Sequence, residues 1–226
     1  KSHRTIQHTL EETLSILLPG EKVTLYGSGR TDAGVHAYGQ CANFKIEKSR
    51  IEKAGLGRIL VSLNALLPDD IVVKQIKKVP LEFHARYSAK SREYIYRLTE
   101  IKRAIEGDKL LQLKSSFDVK AAKSFCRLIK GNHSFRSLCK NKEDEHDFRS
   151  IVYTCDVKRR KDGIIEFKIS ANRFLHSMVR AIVGAMIKIA SGNLTKEEFI
   201  SKFKNGDEIK IQYVPAKALF LSKVTY

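Results

Sequence analysis

The run "FLHSMVRAIVGAMIKIASG" (residues 174–192) constrains the fold more than any other stretch of this chain. It reads as a helix that is apolar almost all round, broken only by Arg180 and Lys188. A helix of that kind has no polar face to turn to water, so it is expected to lie buried between layers. Arg180 then makes a demand on the rest of the chain. A guanidinium buried without a partner costs several kcal/mol, so this side chain has to meet an anion. The anion can belong to a structural ion pair or to a functional site.

Helices and strands surround this run without a strict βαβ alternation. Ile6, Leu10, Leu14, Leu17 and Leu18 recur at helical spacing, and "LLPG" ends that helix. "KVTLYG" reads as a strand entering a glycine-rich segment, and "QCANFKI" as a strand leaving it. In "EKAGLGRILVSLNALLPDD" a second helix puts Ile59, Leu63, Leu66 and Leu67 on one face and stops at Pro68. "DIVVKQIKKV" is expected as a short strand, and "REYIYRLTE" as another with Tyr94, Tyr96 and Leu98 on one face. Further on come a helix in "FDVKAAKSFCRLIKG" and a hairpin turning at Lys161-Asp162-Gly163. Thr195 and Glu198 then form a capping box for the helix "KEEFISKFKNG", and "ALFLSKVTY" closes as a strand. The polar stretch "KNKEDEHDF" (140–148) is expected to be a mobile loop. The class is α+β with antiparallel or mixed sheets, in two similar halves, 1–98 and 99–226.

Charge narrows the partners. Lys and Arg number 42 against 25 Asp and Glu, a formal charge of +17 that favours a polyanion such as RNA or DNA. A lysine-rich proteome is the plainer source of the same excess. There is no long uncharged apolar run and no signal peptide, which sets aside a membrane. Cys41, Cys126, Cys139 and Cys155 form no C-x-x-C pair and sit in or beside apolar runs, which fits reduced thiols in a cytoplasmic protein. His146 and the other histidines have no paired spacing, so no metal is expected. Phosphate-binding and dinucleotide glycine motifs are absent, so no nucleotide cofactor is expected either.

Three groups carry possible chemistry. In "GSGRTDAGVHAYGQ", Arg30 and Thr31 precede Asp32 and favour its ionised form, while the glycines leave room for an RNA backbone. Asp32 is then either a positioned carboxylate or a turn residue bonding its own backbone. Arg180 is the second group, and Asp32 is an attractive counter-ion for it. The third, "FHARYSAKSREYIYRL", interleaves His84, Arg86, Lys90 and Arg92 with Phe83, Tyr87, Tyr94 and Tyr96. That pattern can grip phosphates and stack on a base, although alternating tyrosines also build cores.

"GRTDAGVHAYGQ" resembles the hallmark motif of the TruA family of tRNA pseudouridine synthases. "NALLPDDIVV", "FHARYSAKSREYIYRL", "ANRFLHSMVRAIVGAMI" and "VPAKALFLSKVTY" resemble later family motifs in the family's order, over nearly the whole chain. The resemblance implies two α/β subdomains whose sheets join around a central catalytic cleft. It implies a homodimer that needs no cofactor, with tRNA spanning both subunits and the anticodon stem-loop as target. By the same resemblance Asp32 is the catalytic aspartate, Tyr94 stacks on the target base, and Arg180 pairs with the aspartate. Leu175 walls the pocket, and Arg30, His36, Arg86 and Asn172 face the RNA. Action on other RNAs and a silent tRNA-binding protein are the alternatives. The family's opening strand, with "YDG" and "GWQ", has no counterpart here and is expected to have been trimmed or disordered. The connection around 100–116 looks short, and Arg173 stands where many relatives have glycine, adding a charge beside the pocket.

Overall fold

In the computed structural model, residues 4–20, 22–47, 49, 51, 54–140 and 142–226 are described. The helices are α1 (Ile6–Leu17), α2 (Leu56–Leu66), α3 (Val119–Ile129), α4 (Met178–Ala190) and α5 (Lys196–Asn205). The strands are β1 (Tyr26–Gly27), β2 (His36–Ala37), β3 (Ala42–Asn43), β4 (Ser91–Thr99) and β5 (Leu111–Gln112). They continue with β6 (Gly131–Ser134), β7 (Arg149–Arg159), β8 (Ile165–Ala171) and β9 (Leu219–Thr225). The sequence expectations that fall on residues 1–3, Glu52, Lys53 and Asn141 lie outside the described residues.

The chain divides into two compact units, one of residues up to 29 with 41–88, the other of 30–40 with 89–226. This differs from the expected halves 1–98 and 99–226, because β2 and β4 are paired within the sheet of the second unit. In the first unit, Leu14 and Leu18 pack with Ile59, Leu63 and Leu67, over Val23, Leu25 and Ile71. Ile6 and Leu66, expected on the buried faces, are 58% and 51% exposed, one at the first turn of α1 and the other at the last of α2.

The strands expected in this unit are shorter than their apolar pattern. β1 and β3 pair over two residues each, and "DIVVKQIKKV" forms no ladder. Side chains occupy the missing partners' places. The Leu25 N–H donates to Glu11 Oε1 (2.8 Å), and Gln7 Nε2 donates to the Leu25 carbonyl (2.9 Å). Asn64 does both for Val73, accepting from its N–H and donating to its C=O, each at 2.8 Å. The peptide groups of Leu25 and Val73 are thus satisfied without a neighbouring strand, as buried peptide groups have to be by some partner.

The second unit is built on a seven-stranded sheet ordered β2-β9-β4-β8-β7-β6, with β5 beside β4. β2 runs parallel to β9 and β5 to β4, whereas the other pairs are antiparallel. The expected hairpin is β7–β8, closed by the Gly163 N–H on the Arg160 carbonyl. Tyr96, Leu98, Phe167 and Ile169 cluster with Phe125 and Ile129 of α3, Met178 and Ile182 of α4 and Phe199 of α5. Burying each such side chain stabilises by about 1.5–3 kcal/mol. The expected cap of α5 is present, Thr195 Oγ1 accepting from the Glu198 N–H at 3.1 Å.

α4 is buried on nearly every side, as its composition requires. A strap of residues 207–214 covers it and contributes Ile209 and Val214 to the core. Gly184 permits this contact, since a Cβ there would lie 2.2 Å from the Gln212 carbonyl oxygen. Lys188 reaches past the helix to donate to the Lys210 carbonyl at 2.7 Å.

Candidate active site

Asp32 reaches its position through the sheet. The Val35 N–H closes a turn on the Asp32 carbonyl, and β2 then pairs with β9, His36 opposite Phe220 and Ala37 opposite Leu221. Gly39 has to be glycine for this pairing, because a Cβ would stand 2.8 Å from the Ser222 carbonyl oxygen. At that position the glycine serves the approach of β9, where the sequence pointed to an RNA backbone.

The carboxylate is met from α4. Arg180 Nη1 donates to Asp32 Oδ2 at 2.5 Å, across 148 residues of sequence. Ser177 Oγ donates to the same oxygen at 2.9 Å. His176 Nε2 stands 3.6 Å from Oδ1. Arg180 is itself held by donation from Nε to the Val214 carbonyl of the strap, at 2.7 Å. The side chains of Arg180 and Asp32 are 18% and 23% exposed, so water screens the pair only in part. Burial pushes the Asp32 carboxyl up, but the hydrogen bonds from Arg180 and Ser177, with the charges of Arg180 and His176, hold it below its ordinary value. The group is an ionised carboxylate at neutral pH.

Tyr94 lies close enough for the Asp32 charge to act on its phenol. Burial pushes that phenol up to about 12, with Arg92 pulling down and Asp32 adding to the rise. Its ring meets Phe174 edge-on, with centroids 5.1 Å apart. The two tyrosines, two residues apart on one face of the strand, differ in burial. Tyr96 is fully buried and its hydroxyl donates to the Pro215 carbonyl at 2.8 Å. Leu175 precedes α4, is 6% exposed and belongs to the core cluster.

The other expected contacts each have their own surroundings. Arg30 is exposed two residues before Asp32. His36 stacks on Phe220 at 5.0 Å, and Arg97 covers the same ring from 4.6 Å. Asn172 accepts at Oδ1 from the N–H groups of Ile151 and Arg173, both at 2.8 Å, which uses that oxygen to join strand ends. Arg86 lies in the first unit, its guanidinium 5.6 Å from the Tyr87 ring centroid. Arg173 adds no free charge, since Glu145 binds it at 2.8 Å. Sequence reasoning missed Ser177 and His176. Their signal was position, one turn or less before Arg180 on the same helix start.

Among the described residues no cluster of three or more His, Cys, Asp or Glu could hold a metal, and no helix is long and apolar enough to cross a membrane. None of the four cysteines is in a disulfide; three are buried and Cys41 is half-buried. An ionised carboxylate clamped by arginine beside a partly buried aromatic ring is able to act as a nucleophile or as a base. A family profile described as tRNA pseudouridine synthase matches residues 1–88 and 125–226. The tRNA pseudouridine synthase A of Geobacillus sp. (strain WCH70) is 36% identical over 99% of this chain and 89% of its own length. Proteins of the same name from Anoxybacillus flavithermus and Chlorobium luteolum are 37% and 39% identical, over 99% and 98% of this chain and 89% and 86% of their own lengths. The chain belongs to the tRNA pseudouridine synthase family.

Proposed function

We propose that this protein converts uridine to pseudouridine in tRNA, with Asp32 as the reacting carboxylate. The observation that carries the reading is the Asp32 carboxylate itself, kept ionised in a partly buried place by Arg180 and Ser177. The N-glycosidic bond breaks, the uracil turns, and a carbon–carbon bond forms at the same sugar carbon, so all atoms of the substrate are kept. Attack at C1′ and removal of a sugar proton both need an ionised oxygen at this position. Tyr94 stacks on the base, while Leu175 and Phe174 supply apolar wall. Arg30, His36, Arg86 and Asn172 contribute to the RNA-facing surface, and the excess of basic side chains offsets the cost of unstacking the uridine, about a few kcal/mol. The family resemblance supports the anticodon stem-loop as target, a homodimer spanned by one tRNA, and a cytoplasmic setting.

The test is Asp32→Ala, followed by chemical labelling of pseudouridine in tRNA. The variant is expected to fold, bind tRNA and form no product. Product formation by it refutes the assignment of Asp32. A wild-type protein that binds tRNA and forms none favours a silent binding protein.

A further inference from the structure

Ser177 occupies the N-cap of α4 but does not behave as a cap. Its φ of 55° and ψ of 14° put it in the left-handed region, and its side chain makes no capping bond. Thr5, Asp118 and Thr195, at the starts of α1, α3 and α5, have negative φ, and each accepts a helix N–H. That is the ordinary arrangement for such residues. Glu106 and Ser177 are the positive-φ residues other than glycine among those described. A serine held in this region is strained, and strain of this kind persists where the surroundings over-determine it.

What the conformation achieves is the bond to Asp32. Ser177 Oγ and Arg180 Nη1, three residues apart on one rigid turn, both donate to Oδ2. A single donor leaves the carboxylate free to rotate about its last torsion, which is soft. Two donors on one oxygen fix the plane of the group. Oδ1 then faces His176 from 3.6 Å, beyond hydrogen-bonding distance.

We infer that Ser177 is a positioning residue that locks the Asp32 carboxylate through Oδ2 and leaves Oδ1 as the reacting oxygen. This rests on the reading of Asp32 as the reacting group. The groups facing Asp32 are Arg180 of α4, Ser177 at its N-cap, His176 before it, and Tyr94 of β4. Losing the Ser177 donor weakens the hold on the ionised form, so the acid limb of the rate profile moves to higher pH.

Two variants separate positioning from folding. Ser177→Gly removes the hydroxyl and relieves the left-handed strain, whereas Ser177→Ala removes the hydroxyl and keeps the Cβ. In single-turnover assays on tRNA, both are expected to lose about tenfold or more in rate, the worth of one hydrogen bond to a charged group. Affinity for tRNA is expected to stay at the wild-type value. Thermal midpoints are expected to diverge, Gly at or above wild type and Ala at or below it, and the acid limb should rise in both. Wild-type rates in Ser177→Gly with an inert Asp32→Ala overturn this inference alone. Rate losses that simply follow the thermal midpoints overturn it as well, since they mark a folding role. An active Asp32→Ala removes the reading beneath it.

Discussion

Arg180 anchors both a carboxylate and the strap over its own helix, so its removal has two separable costs. In Arg180→Met the methylene bulk is largely kept, the Val214 carbonyl loses its donor, and Asp32 is left partly buried with only Ser177 on Oδ2. Loss of the Val214 bond is expected to cost about 1 kcal/mol. Breaking a buried pair by removing one partner costs about 3–5 kcal/mol in general. Here the side chains are 18% and 23% exposed, which moves the pair to the low end of that range. The single substitution should therefore destabilise by about 4 kcal/mol, of which about 3 kcal/mol belongs to the pair. Asp32→Asn removes the charge from the same place, and Arg180→Met on that background should cost only about 1 kcal/mol. Urea unfolding of the four proteins at neutral pH gives the coupling directly as a double-mutant cycle. Additivity within about 0.5 kcal/mol refutes the reasoning, because sites that do not interact behave that way. The pH dependence supplies a second check. Asp32 has its carboxyl held low in the folded state, so its contribution is present above the unfolded-state value and fades as pH falls through the folded one. The coupling must shrink in acid and must not grow.

Gly184→Ala sets helix propensity against space: alanine gains about 1 kcal/mol in a helix interior, but overpacking costs about 1–3 kcal/mol and more against rigid backbone. With the Gln212 carbonyl 2.2 Å from the new Cβ, the clash wins and calorimetry should show a lower midpoint; a raised one refutes the packing of the strap. The Tyr94 phenol, pushed up to about 12, stays protonated through the range in which tRNA can be assayed. The rate should therefore show no alkaline limb due to Tyr94, and a limb near about pH 10 that Tyr94→Phe abolishes contradicts the burial of that ring.

What could be read from the sequence depended on whether the information was local. The burial of α4, the cap at Thr195 and the turn of β7–β8 each follow from residues within one or two turns of each other, and each appears in the structure. The strands of the first unit are shorter than expected, and one is absent, because apolar alternation reports burial, and burial needs no strand if the backbone is satisfied otherwise. Gln7, Glu11 and Asn64 do that for Leu25 and Val73 from the neighbouring helices, and nothing in the pattern of a polar helix face announces it. The boundary between units was equally invisible, since it depends on β4 finding β8 and β9 as its partners far along the chain.

At the candidate site the sequence could state a need without showing how it is met. An arginine in an apolar helix requires an anion, and the aspartate of the glycine-rich turn was one candidate for it; the structure brings the two together across 148 residues. Ser177 states no such need. A serine before a helix reads as an ordinary cap, and only its backbone conformation shows that the hydroxyl is directed elsewhere. Charge demand is a property of composition and survives in the sequence, while the choice of one carboxylate oxygen over the other is a matter of ångströms. Two donors one helical turn apart can make that choice only after α4 is packed beneath its strap and β2 is paired with β9. The same packing that buries α4 therefore orients Asp32, and a substitution such as Gly184→Ala that loosens the strap should disturb the carboxylate through the Val214 hold on Arg180.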